Sequence, residues 1–306
     1  MNLSSDNLGE LIKKTQNKEV TALAKLLTQV DRMGPRCLKS PELLSPPNNS
    51  LRMGITGPPG AGKSTIIAGL IRQLRAQGLT IAVIAVDPSS PFTKGAILGD
   101  RIRYQEHSSD PGVFIRSIGT RGSLGGLCAS AYLMLRAFDN FGFDVTLIET
   151  VGVGQTELEI VNVADEIAVV LVPESGDSIQ AMKAGLLEIT QTFVVNKSDR
   201  PGAISFSNEL KSALELGNVY SETPMNYSIF QTTAIEESTL LNFTEWIIKK
   251  HDEFTLRSAD FRTRPKLLQR EALALLRGQY DGDLQKKAEL VNTKEDLQNL
   301  FCNFKN

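Results

Sequence analysis

The run Gly57-Pro58-Pro59-Gly60-Ala61-Gly62-Lys63-Ser64 sets four residues between two glycines and closes on Gly-Lys-Ser, the spacing of a loop that cradles phosphates. Glycines let successive backbone N–H groups turn inward around phosphate oxygens, and the positive end of a following helix dipole adds to them. Lys63 is placed to reach the β- and γ-phosphates of a nucleoside triphosphate, and Ser64 to ligate Mg²⁺. Met53-Gly54-Ile55-Thr56 before the loop reads as a strand. From Thr65 to Arg75 the sequence reads as a helix, with Ile66, Ile67, Leu70, Ile71 and Leu74 on one face. A strand–loop–helix setting argues against a merely structural glycine turn.

Asn196-Lys197-Ser198-Asp199 follows the apolar run Thr192–Val195 and has the N-K-x-D form of a guanine-reading loop. The Asp199 carboxylate can accept from guanine N1–H and the 2-amino group. Adenine offers an acceptor and no amino group there, so the buried carboxylate would go unpaired, at a cost of about 1–3 kcal/mol or more. Asn196 would brace the loop and the stem of Lys197 would lie along the base. Asn, Asp and Ser also favour ordinary turns, and it is the position after a strand, downstream of a phosphate loop, that favours base recognition. Thr232-Thr233-Ala234 falls where a small-residue loop would face the base, so Thr233 and Ala234 join the candidate nucleotide-binding set.

Around the γ-phosphate, Glu149-Thr150-Val151-Gly152 stands where most G proteins carry D-x-x-G. Glu149 can orient Mg²⁺, through a water because Mg²⁺ keeps several waters in such sites, and the Gly152 N–H can bond the γ-phosphate and report its loss. A water-positioning glutamine follows that glycine in Ras-like proteins. Here Val153 follows it, so the expectation is slow hydrolysis until a partner or a loop movement assists. Lys63, Glu149 and Gly152 are the candidate catalytic set. Gln155 is either recruited or a plain surface residue. The turn-rich stretch 87–101 has the composition of a loop that closes over Mg²⁺ and phosphate. Asp87 and Asp100 within it are candidate metal ligands beside Ser64 and Glu149, and either can instead cap a turn or helix. A second glycine-rich loop, 120–126, fits a phosphate contact, a partner contact or a helix start equally well.

These residues need a scaffold that brings them to one edge. Near-continuous apolar runs at 81–86, 113–115, 144–148, 167–172 and 192–195 alternate with helical patterns, which predicts an α/β fold with a mostly parallel sheet buried on both faces. Ligands of such sheets sit at the carboxyl ends of the strands, where the phosphate loop, Asp87, Glu149 and Asn196 all fall. Residues 1–33 read as helical and 34–50, with Pro41, Pro46 and Pro47, as a linker. Residues 256–306 read as a charged helical tail with Leu268, Ala272, Leu275 and Leu276 as its apolar stripe. The division expected is therefore an N-terminal helical arm (1–50), a nucleotide domain (51–255) and a C-terminal arm (256–306).

The net charge of −2 gives no electrostatic case for nucleic acid or an anionic membrane. No run approaches the roughly 20 apolar residues of a spanning helix, and the N-terminus shows no targeting pattern, so the cytoplasm is expected. Three cysteines without a C-x-x-C and two histidines signal neither a disulfide framework nor a zinc site.

The 57–64 loop, Val86-Asp87-Pro88-Ser89-Ser90-Pro91-Phe92, Gly95–Arg101, Thr120-Arg121-Gly122, Leu124-Gly125-Gly126, Glu149–Gln155 and Asn196–Asp199 together resemble the MeaB/MMAA/ArgK family of P-loop GTPases. The resemblance implies a GTP- and GDP-binding, Mg²⁺-dependent chaperone of adenosylcobalamin-dependent acyl-CoA mutases, chiefly methylmalonyl-CoA mutase, built as a homodimer through its helical arms. It implies a partner-sensing switch over 176–185, with Asp177, Gln180 and Lys183 as its candidate residues, where the residues alone show only a loop entering a helix. Two other readings compete. A phosphotransferase needs an acceptor pocket and a base, and neither is recognisable. A nickel- or zinc-delivery GTPase needs histidine- or cysteine-rich clusters, which the chain lacks.

Overall fold

The computed structural model describes residues 5–44, 50–87, 104–119, 129–150, 156–173, 186–219, 226–256 and 265–289. Asp100, Gly152, Asp177, Gln180 and Lys183 lie outside the described residues. Two helices, α1 (Ser5–Gln16) and α2 (Val20–Met33), lead into an alternating core: β1 (Leu51–Thr56), α3 (Lys63–Ala76), β2 (Ile81–Asp87), β3 (Val113–Gly119), α4 (Ala129–Phe141), β4 (Val145–Glu149), the short α5 (Thr156–Glu159), β5 (Glu166–Leu171), β6 (Thr192–Val195), α6 (Ala203–Val219), β7 (Ser228–Gln231), α7 (Leu241–Leu256) and α8 (Pro265–Glu289). Among the described residues the seven strands form one sheet in the order β3-β2-β4-β1-β5-β6-β7. Every pairing is parallel. This is the α/β architecture expected from the alternation of apolar runs and helices.

The strands are apolar on both sides because both sides are covered. Ile81, Val83 and Ala85 of β2 pack with α3 and with Phe243, Ile247 and Phe254 of α7. Ala82, Ile84 and Val86, one residue out of step, pack with α2 and α4 on the other face. Farther along the sheet, Val169, Leu171, Phe193 and Val195 cover Phe206, Leu210 and Leu214 of α6. The expected start of β4 at Asp144 moves to Val145, because the Asp144 carboxylate accepts from Thr80 N and Thr80 Oγ1, both at 2.7 Å.

Residues 5–33 hold the two helices α1 and α2. The break at 17–19 puts Lys18 at φ +66°, and its ammonium donates to Gly142 O at 2.9 Å and to Phe141 O. Residues 34–44 differ from the expected linker. They wind as two 3₁₀ turns that bury Cys37 and Leu43 in the α2–α4 core, and burial pushes the Cys37 thiol up to about 11, the state of an inert core residue. The tail also differs. Of the expected stripe Leu275 faces inward, whereas Ala272 and Leu276 face outward and Glu271 takes an inward place. Arg136 of α4 reaches Glu271 with Nε at 2.9 Å and Nη2 at 2.6 Å. An ion pair thus occupies the inner face that an apolar stripe was expected to fill. No helix among the described residues is long and apolar enough to cross a membrane.

Candidate nucleotide site

The carboxyl ends of β1, β4 and β6 meet over one loop. β1 runs into Gly57, whose φ of +135° only glycine adopts easily, and a Cβ there would lie 2.1 Å from Val170 O. The loop therefore presses against the β5 backbone. Gly60 and Gly62 also have positive φ, and Gly62 leads directly into α3. The exposed Pro59 and Gly60, half-buried Pro58 and buried Ala61 make the loop's outer bend, and Thr65 is exposed on the first turn of α3. Lys63 is buried, with its ammonium donating to Gly57 O at 2.7 Å and Pro58 O at 3.0 Å. It spans the loop that it would share with phosphate.

Ser64 Oγ donates to Glu149 Oε1 at 2.6 Å, so the first turn of α3 touches the end of β4. Beneath them the Thr56 and Thr150 hydroxyls are 2.8 Å apart, joining the ends of adjacent strands β1 and β4. Two hard oxygen donors from Ser64 and Glu149, side by side beneath a phosphate loop, fit Mg²⁺, which takes a few protein oxygens and completes its shell with water and phosphate. Asp87 closes β2, its backbone in register with Gly119. No group of three or more His, Cys, Asp or Glu able to hold a metal occurs among the described residues.

The second half of the site hangs on Asn196. Its Nδ2 donates to Ala61 O at 2.8 Å, while its Oδ1 accepts from Ala234 N at 3.0 Å and Thr232 Oγ1 at 3.2 Å. One buried amide thereby ties the phosphate loop, the end of β6 and the loop after β7. A Cβ on Gly62 would meet this Nδ2 at 2.3 Å, so Gly62, like Gly57, has no room for a side chain. Lys197 takes φ +58°, and Ser198 donates to Val195 O at 2.9 Å and Thr232 O at 2.8 Å, which completes the turn. Asp199, expected as a buried carboxylate, is instead exposed because it lies in the turn after β6, with Oδ1 3.4 Å from Thr233 Oγ1. The structure therefore brings together the phosphate loop, Glu149, Asn196, Asp199, Thr233 and Ala234 at one edge of the sheet.

Tyr104 was not legible as a site residue. It is 1% exposed and its hydroxyl donates to Glu149 Oε2 at 2.6 Å. A lone aromatic after a polar stretch carries no periodic signal, and only the sheet order sets it beside β4. The Thr56–Thr150 pair had a fainter mark, one threonine just before the phosphate loop and one inside the Glu149–Gly152 motif.

Comparison with known proteins matches this arrangement to one group. The family model described as methylmalonyl-CoA mutase-associated GTPase MeaB matches residues 23–287. A provisionally named GTPase of Pyrococcus abyssi is 42% identical over 91% of this chain and 86% of its own length. The GTPase ArgK of Escherichia coli is 39% identical over 64% of this chain and 61% of its own. Among solved structures, the crystal structure of a LAO/AO transport system kinase covers 100% of both chains with TM-score 0.67 at 23% identity, a likeness of fold. A guanine nucleotide is what the N-K-x-D loop beside this phosphate cradle is built to take, and the chain belongs to the MeaB family of GTPases.

Proposed function

We propose that this GTPase couples GTP binding and hydrolysis to the loading and protection of an adenosylcobalamin-dependent acyl-CoA mutase, methylmalonyl-CoA mutase first among them. The mutase reading is supported by the family's own description as mutase-associated. The nucleotide reading is carried by one observation: Asn196 bonds the phosphate loop and the base loop to each other. A triphosphate held at Lys63 thus has its base directed toward Asp199.

In this reading the loop N–H groups and the α3 N-terminus hold the phosphates, and Lys63 exchanges two carbonyl acceptors for charged phosphate oxygens, which are stronger partners. Ser64 and Glu149 hold Mg²⁺, which when bound neutralises charge developing on the β- and γ-phosphates. Gly152, Asp87 and Asp100 complete the γ-phosphate side, and Asp177, Gln180 and Lys183 read the partner. With Val153 after Gly152, no side chain at that position orients the attacking water, and unaided turnover is slow. Leu273, Leu276 and Tyr280, three or four residues apart on α8, are exposed and support self-association through the C-terminal helix.

The test is a titration of the protein, loaded with GDP or a non-hydrolysable GTP analogue, against methylmalonyl-CoA mutase with and without adenosylcobalamin. The expected result is a complex whose affinity differs about tenfold between the two nucleotides, the size of an ordinary coupling between sites. Binding that is absent, or indifferent to nucleotide, removes the mutase reading.

A further inference from the structure

We infer that Tyr104 is a positioning residue for Glu149, holding its carboxylate in the orientation that serves Mg²⁺ at Ser64. This rests on the reading of Ser64 and Glu149 as the metal-side pair.

A glutamate where most G proteins carry an aspartate has one more rotatable bond between backbone and carboxylate. That bond must be fixed if the carboxylate is to meet a metal shell with octahedral demands. The structure supplies two fixings. Oε1 accepts from Ser64 Oγ at 2.6 Å and Oε2 accepts from Tyr104 Oη at 2.6 Å. Hydroxyl donors on both oxygens set the plane of the carboxylate as well as its position, and hydrogen bonds to an ionised acceptor are the strong ones. Each oxygen keeps a lone pair for a metal-bound water.

Tyr104 is itself held from several directions. His107 N donates to Tyr104 O at 3.0 Å and begins a turn. Arg72 of α3 pairs with Glu106. Arg75, one helical turn further along α3, donates to both oxygens of Asp110 at 3.0 Å each. A Cβ on Gly112 would strike that Arg75 guanidinium at 2.2 Å. The 104–112 strap is thus pinned to the helix that carries Lys63 and Ser64. The tyrosine hydroxyl, the serine hydroxyl and the glutamate form one hydrogen-bonded group. A ring that was merely filling space would not need its only polar atom directed at the metal-side carboxylate.

The experiment uses the full chain and reads Mg²⁺ binding directly, by titrating Mg²⁺ into protein carrying a fluorescent GDP, with nucleotide affinity in EDTA measured in parallel. Tyr104→Phe keeps the ring and removes only the hydroxyl. The expected result is a half-saturating Mg²⁺ concentration raised about tenfold, with the EDTA nucleotide affinity unchanged. Tyr104→Met, a flexible apolar filler, should give the same shift and serves if the phenylalanine variant is poorly folded. In a Glu149→Ala background, which alone raises the Mg²⁺ requirement, either Tyr104 change should add nothing. An unshifted Mg²⁺ titration in both Tyr104 variants, or a shift that persists without Glu149, overturns the positioning role. A Glu149→Ala protein with wild-type Mg²⁺ affinity would instead sink the underlying metal-side reading, and the inference with it.

Discussion

Asn196 uses both ends of one amide to hold three segments. Its donor end takes a carbonyl of the phosphate loop and its acceptor end takes donors from the 232–234 loop. The sequence pattern pointed to a guanine-reading loop with Asn196 as its brace. It could not tell that Asn196 also braces the phosphate loop, because that depends on how far β6 lies from β1. His107 carries a separate consequence. Burial holds its imidazole below the ordinary value of 6.5; Arg72 adds to the lowering, while Glu106 and Asp110 oppose it. With the folded value below the unfolded one, the unfolded chain binds more protons in between. Stability therefore falls as pH drops below about 6.5 toward the folded value. His107→Gln should flatten that part of the curve relative to wild type, as read by urea midpoints between about pH 7.5 and 5.5. An unchanged slope would show that His107 does not contribute to it.

At the scale of elements, the helices over and under the sheet were legible because their apolar residues recur at helical spacing. The C-terminal helix misled, and the reason is electrostatic. Glu271 sits at an inward position that hydropathy assigns to solvent, and only the partner Arg136, 135 residues away in sequence, makes its burial tolerable. Burial works against the Arg136 charge and the Glu271 carboxylate more than offsets it, so the guanidinium is held above its ordinary value. Removing one member leaves the other buried and unpaired, which costs about 3–5 kcal/mol. Glu271→Leu should lower stability by that order in chemical denaturation, and the pair Arg136→Met with Glu271→Leu should recover most of it. If Glu271→Leu alone is neutral, α8 is not anchored through this pair. The turns at 34–44 escaped notice for the opposite reason. Their prolines read as a linker, whereas Cys37 and Leu43 are too far apart in sequence to show a stripe.

For the molecule as a whole, alternation of apolar runs and helices already implied a parallel sheet with its ligand edge at the strand carboxyl ends. The strand order was not legible, yet it decides the site. Placing β1 between β4 and β5, with β6 next, sets Glu149 on one side of the phosphate loop and Asn196 on the other. The phosphate loop and the N-K-x-D loop, 135 residues apart from Ala61 to Asn196, thereby lie side by side as the two ends of the proposed nucleotide site. Calorimetric titration of GDP and ADP into the wild-type chain and into Asp199→Ala measures that claim most directly. The account predicts that the wild type binds GDP about a hundredfold or more tighter than ADP, because the carboxylate goes unpaired against adenine, and that Asp199→Ala closes most of this gap. Equal affinity of the wild type for the two nucleotides would contradict it.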